Sequence, residues 1–251
     1  MNMLRFSFLT TFLLAANSVF AEENGGCQTV ETVDDFDIDV YAAAPWFVHQ
    51  QAENSYSPID QNYCTEAQYT VRDEPTFWGY TVNVYNQAQT ENGSLQEGKL
   101  CAYQTKESKS KLAVAPCFLP KFLAGPYWIV AYNETEGYAL ISGGQPKIPV
   151  DGGLCRTGTG TNNSGLWIFS RSQERDEALV TKVRGIAEAA GFDTSVLNDV
   201  DQTSCDGCAD VGGTFATWLG EKNCDWVGSG WWSWAKCISY ADECPDTCGK
   251  C

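Results

Sequence analysis

The sequence predicts a mainly β protein: eight short antiparallel strands forming a barrel or sandwich, one amphipathic helix behind them, and a small disulfide-rich module at the C-terminus. Three observations carry this. Between about Val40 and Ser170, short apolar runs are separated by Gly, Asn, Pro and Asp clusters at hairpin spacing. A single helical stripe follows the last run. From Cys208 to the end the chain holds half of its 12 cysteines and more than half of its nine tryptophans, with few Leu, Ile or Val. A stretch that short and that poor in aliphatic residues needs disulfides to stabilise it.

Taken in order, the chain opens with Arg5, an apolar run from Phe6 to Ala16 and a small Ala21. This is the pattern of a signal peptide over 1–21, with cleavage expected after Ala21. The apolar run is too short for a membrane span of ~20 residues. The strand segments are Trp46-Phe47-Val48, "CTEAQYTV", "YTVNVYN", "KLCAYQ", "KLAVAP", "PYWIVAY", "GYALISG" and "LWIFS". In "CTEAQYTV", Thr65, Ala67, Tyr69 and Val71 alternate with Cys64, Glu66, Gln68 and Thr70, so one face meets a core and the other meets water. In "SQERDEALVTKVRGIAEAAG", Leu179, Val183, Ile186 and Ala190 form the helical stripe. Glu174 and Asp176 suit the N-terminal dipole, and Gly191 sits where a C-cap glycine belongs.

The net charge of −16 makes nucleic acid and anionic membrane surfaces poor partners. An even count of 12 cysteines behind a signal peptide reads as six disulfides formed in an oxidising compartment, which places the protein outside the cell or in the secretory pathway. Sequons at Asn92, Asn133 and Asn162 are candidate glycosylation sites and would lie on surface loops. The one histidine, His49, has the strand parity opposite to Trp46 and Val48 and so points outward. The chain carries no phosphate loop, no Gly-x-Ser-x-Gly and no Ser-His-Asp pattern. No catalytic residue, metal site or cofactor is implied.

Three local patterns then narrow the fold. "FDIDVYAAAPWF" resembles the first lipocalin signature, with Trp46 as its tryptophan. "GPYWIVAYNETEGYALISGG" is similar to the second, and "LWIFSRS" to the third. The first departs from the family by having Ala43 and Ala44 near the usual glycine and one extra residue between Tyr41 and Trp46. The resemblance, of the apolipoprotein D and bacterial lipocalin type, spans Phe36 to about Cys205. It implies an eight-stranded antiparallel lipocalin barrel with one C-terminal amphipathic helix. It also implies that Arg171 stacks on Trp46 at the closed end, as a structural pair. By the same resemblance Cys27 pairs with Cys155 and Cys64 with Cys205, leaving Cys101 and Cys117 to pair across a hairpin. The tail "CPDTCGKC" resembles the end of the ShK toxin-like domain, which implies Cys208–Cys251, Cys224–Cys244 and Cys237–Cys248. The domain division is then 1–21 signal peptide, 22–205 barrel and helix, and 206–251 cysteine-rich module.

If Arg171 marks the inner face, strand alternation places Phe169 and Trp167 inward, and with Trp46 the residues Val48 and Gln50. Ala67, Tyr69, Val82 and Val84 are the inward choice on their strands. These residues either fill a core or line a cavity for a small hydrophobic ligand, such as a fatty acid, sterol, retinoid or carotenoid. The resemblance favours the cavity. An enzymatic alternative, a lipocalin acting on its guest as violaxanthin de-epoxidase does, would need a carboxylic acid near the pocket, and Glu66 and Asp73 are the nearest. A third reading places function in the tail. There Trp231, Trp232 and Trp234 either contact a glycan, lipid surface or protein, or pack on the disulfides as a miniature core.

Overall fold

The computed structural model describes residues 26–203, 205, 214–217, 219–230, 233–240, 244 and 248. The signal segment, and the side chains of Trp231, Trp232 and Trp234, lie outside the described residues. So does the Cys208–Cys251 pair.

Seven strands run up and down in sequence order: β1 (Trp46–Ala52), β2 (Tyr63–Val71), β3 (Val82–Gln89), β4 (Leu95–Gln104), β5 (Lys111–Ala115), β6 (Gly125–Asn133) and β7 (Tyr138–Ser142). After a small hairpin of β8 (Ile148–Pro149) and β9 (Cys155–Arg156), β10 (Leu166–Ser170) pairs with both β7 and β1 and closes the barrel. Every neighbouring barrel pair is antiparallel, so closure leaves no open sheet edge around the ring. A short β11 (Leu197–Asp199) adds to the upper half of β1, where β2 has bent away at Cys64, a non-glycine residue at φ 50°. Gln202 fills the gap between the two strands, its Nε2 donating to the carbonyls of Val48 and Thr65 at 2.8 Å each.

Helix α2 (Glu177–Ala189) lies on the outer face of the barrel. Asp176 is its N-cap, its carboxylate accepting from the amides of Ala178 and Leu179. At the other end Gly191 adopts φ 89°, its amide bonds Glu188 and that of Phe192 bonds Ala187, which closes the helix in a Schellman turn. Val180, Val183 and Ala187 are its most buried residues, and Leu179, Ile186 and Ala190 flank them. The buried stripe is therefore centred one residue away from the one read in the sequence. Among the described residues no helix is long and apolar enough to cross a membrane.

Disulfides join Cys27–Cys155, Cys64–Cys205 and Cys101–Cys117 in the barrel unit. In the C-terminal segment, β12 (Phe215–Thr217), β13 (Gly220–Lys222), α3 (Cys224–Gly228) and α4 (Ser233–Tyr240) are held by Cys224–Cys244 and Cys237–Cys248. Their small core is Cys224, Val227 and Cys244, with the rings of Phe215, Trp226 and Tyr240 packed against it.

The bottom of the barrel is shut by α1 (Ile38–Tyr41), capped by Asp37, and by Arg171. The guanidinium carbon lies 3.6 Å from the centroid of the fully buried Trp46 ring. Its nitrogens donate to the carbonyls of Tyr41 (3.0 Å), Val40 (3.2 Å), Pro45 (3.1 Å) and Ala44, and pair with Glu134 at 3.0 Å. The turn from Ala42 to Pro45 contains no residue with positive φ, which is why alanines serve where the family pattern has glycine. Arg171→Ala is expected to destabilise the barrel by about 3 kcal/mol, since it removes the cation over the indole and leaves converging carbonyls short of donors. Arg171→Lys should restore less than half of that, because an ammonium lacks the planar fork; urea unfolding of both variants measures the difference.

Candidate functional site

Above the Trp46–Arg171 pair the barrel is hollow, with a cavity of about 570 Å³. Val48, Ala67, Tyr69, Val84, Trp167 and Phe169 line it. Two residues read as inward from the sequence do not. Val82 lies in the barrel core among the lining residues' neighbours but does not reach the cavity. Gln50 faces the other way: β1 bulges at His49, so that Val48 opposes Phe169 while Gln50, not His49, opposes Ile168. The bulge reverses parity, places Gln51 on the cavity wall opposite Trp167, and turns Gln50 outward, where it bonds Asp199 (2.7 Å) and Arg184 (2.9 Å). Of the two carboxylates considered from the sequence, Glu66 is a lining residue and Asp73 is exposed away from the cavity.

The wall also holds residues that alternation did not single out, Tyr56, Leu100, Val114 and Tyr127 among them. Tyr56 stacks on Trp167 with centroids 6.5 Å apart, and its hydroxyl donates to the Ser164 carbonyl at 3.2 Å. Trp167 is held from behind by Gly165, at φ 99°, where a Cβ would lie 2.0 Å from the indole. A side chain at that position would therefore displace the ring from the wall.

The polar lining residues are amides, hydroxyls and two carboxylates, Glu66 and Glu97. Gln51 donates to Asn62 at 2.7 Å. The Asn86 Oδ1 is buried without a hydrogen-bond partner. At the floor, the hydroxyl of Tyr127 lies 2.8 Å from that of Tyr41 and 2.7 Å from that of Tyr69. Burial pushes the Tyr69 phenol up to about 12 and those of Tyr41 and Tyr127 well above the ordinary phenol range, so all three are neutral in any physiological medium. No lysine, arginine or histidine is among the lining residues. Among the described residues no group of His, Cys, Asp and Glu is disposed to hold a metal ion.

His49 points away from the cavity, as its place in the bulge requires, yet it is buried, at 1 % exposure. Its Nε2 donates to the Ser172 carbonyl at 2.9 Å, and its Nδ1 has no partner. Of the sequons, Asn92 and Asn162 are exposed in turns, whereas Asn133 ends β6 with its amide bonded to Glu136.

No family model matches the sequence, and no curated protein matches it. Among solved structures the chain is similar to insecticyanin from the tobacco hornworm Manduca sexta, at 18% identity over 70% of this chain and 86% of that one, with a TM-score of 0.49. It is also similar to lobster apocrustacyanin A1 (19%, 66% and 79%, TM-score 0.46) and to the cockroach allergen Per a 4 (17%, 71% and 96%, TM-score 0.47). The topology itself decides the architecture: eight antiparallel strands in sequence order, closed last onto first, with one helix packed behind. The fold is that of a lipocalin.

The buried His49 makes stability depend on pH. Burial lowers its pKa below the usual ~6.5, with nearby Arg175 adding to the shift and the Ser172 hydrogen bond opposing it. The unfolded chain therefore binds the proton more readily, so stability is complete above about pH 6.5 and declines as pH falls below it. Thermal unfolding should show a lower Tm at about pH 5.5 than at about pH 7.5, and His49→Gln should flatten that slope. The depressed carboxyls of Asp193, Asp199 and Asp201 act only below the ordinary carboxylate range near ~4.

Proposed function

We propose that this chain is a secreted carrier whose barrel, 22–205, binds a small hydrophobic molecule in its cavity. The observation that carries the reading is the hollow itself: about 570 Å³ of space behind a sealed floor, bounded mainly by aliphatic and aromatic side chains. A barrel that needed only a core would fill that volume, since interiors pack to the density of organic crystals. Burying ~300 Å² of an apolar guest would contribute roughly 7 kcal/mol before the costs of association, enough for micromolar or tighter binding. The disulfides of the barrel unit support passage through an oxidising compartment.

Titration with retinoids, sterols and other apolar guests should quench tryptophan fluorescence saturably. Trp167→Ala is expected to weaken binding about tenfold through lost ring contact. Val114→Phe, which pushes a ring into the empty space, should abolish binding while the Tm moves by only a few degrees. Failure of every apolar guest to saturate the wild-type protein would overturn the carrier reading.

The segment 206–251 is proposed as a separate module, because the described part of it has its own core and disulfides. Its removal should leave the barrel's Tm and guest affinity unchanged, as followed by calorimetry and the same titration. Any retention on glycans, lipid or cells should be lost with it.

A further inference from the structure

At the floor of the cavity three tyrosine hydroxyls cluster. Tyr69 and Tyr127 are lining residues, and Tyr41 sits behind them, fully enclosed. Two hydrogen bonds connect the three hydroxyls through Tyr127. Those bonds use two of the three available protons, since each hydroxyl has one to give. If Tyr41 donates to Tyr127 and Tyr127 to Tyr69, the spare proton is on Tyr69; if both neighbours donate to Tyr127, it is on Tyr127; if Tyr69 donates to Tyr127 and Tyr127 to Tyr41, it is on the enclosed Tyr41. In every arrangement one hydroxyl donor lacks an acceptor, which in a buried apolar setting costs about 1–3 kcal/mol, and in two of the three that donor is on the cavity wall. A guest that brings an acceptor to the floor removes that cost.

The charge around the cluster selects which acceptor. The lining residues include Glu66 and Glu97 and no cation. The nearest guanidinium, Arg171, lies beneath the Trp46 ring and is engaged by Glu134 and by backbone carbonyls. A carboxylate driven to this floor would be desolvated beside neutral phenols, and the guanidinium whose field reaches them is already paired with Glu134. A carbonyl oxygen meets the same donor without that penalty.

Resting on the carrier reading, we propose that the Tyr41–Tyr127–Tyr69 cluster is the polar anchor of the cavity and selects an elongated apolar guest that ends in an uncharged oxygen acceptor, a ketone or aldehyde, over a fatty-acid carboxylate.

The test compares dodecane, the methyl ketone of the same chain length and dodecanoate by quenching of tryptophan fluorescence at neutral pH. It uses the wild-type protein and Tyr69→Phe/Tyr127→Phe, which removes both wall hydroxyls and keeps the rings. The wild type should bind the ketone at least about tenfold more tightly than dodecanoate, and the double variant should lose about tenfold for the ketone while dodecane changes less than about twofold. Should the double variant not fold, judged by near-UV circular dichroism, Tyr69→Phe and Tyr127→Phe singly carry the same comparison. Equal binding of dodecanoate and ketone by the wild type, or a ketone affinity indifferent to loss of the hydroxyls, overturns the anchor while dodecane binding still upholds the carrier. Absence of saturable binding by all three probes overturns both.

Discussion

The stacking of the Arg171 guanidinium on the Trp46 indole is the contact on which the rest of the barrel depends. It holds the first and last strands at the base, where closure is completed, and gathers the carbonyls of Val40, Tyr41, Ala44 and Pro45 as acceptors around one guanidinium. The Trp46 Nε1 donates to the same Tyr41 carbonyl at 3.0 Å. Tyr41 is thus fixed at its backbone by the plug and presents its hydroxyl upward to Tyr127. The seal and the polar floor of the cavity are consequently one assembly, and the hydroxyl cluster inherits its rigidity from a cation–π contact on its far side.

The second organising feature is the use of β1 on both of its edges and both of its faces. Its lower half pairs with β2, its upper half with β11, and β10 runs along its other edge. A strand so enclosed has no solvent face, and its residues are buried almost throughout. The bulge at His49 is what reconciles these demands. It lets Trp46 and Val48 face inward below while Gln51 does so above, and it sends Gln50 out to the Arg184 and Asp199 groups that dock α2 and β11. The His49 ring, left between ladders, donates to the Ser172 carbonyl in the segment after β10.

The fold was legible in the sequence because its signals are redundant: turn residues at each hairpin, a capped helix, and the three patterns around Trp46, Tyr127 and Arg171. The site was legible only where strands alternate. "CTEAQYTV" is polar on one face, so Ala67 and Tyr69 could be assigned to the wall. "PYWIVAY" is apolar on both faces, because Tyr127 and Ile129 face the barrel interior while Trp128 and Val130 pack on the helix side. Parity cannot be read from such a run, and Tyr127 went unassigned although it joins the whole cluster. The Gln50 assignment failed for a different reason. A bulge is decided by the pairing partner's register, which one strand's own residues do not encode.

Where the cations are spent explains the character of the interior. Arg171 closes the base, Arg175 bonds the His49 carbonyl, Glu177 and Asp199, Arg184 holds Gln50 and Thr194, and Arg156 pairs with Asp193. Each does structural work outside the cavity, in a chain that has twice as many acidic as basic residues. None of these is among the residues that line the cavity. Selectivity within the barrel then rests on hydroxyls and amides, which discriminate by direction and by the cost of leaving a donor unmet, and on the Glu66 and Glu97 carboxylates, which disfavour an anion. The cluster at the floor and the unpartnered Asn86 carbonyl on the wall are places where that kind of discrimination is built.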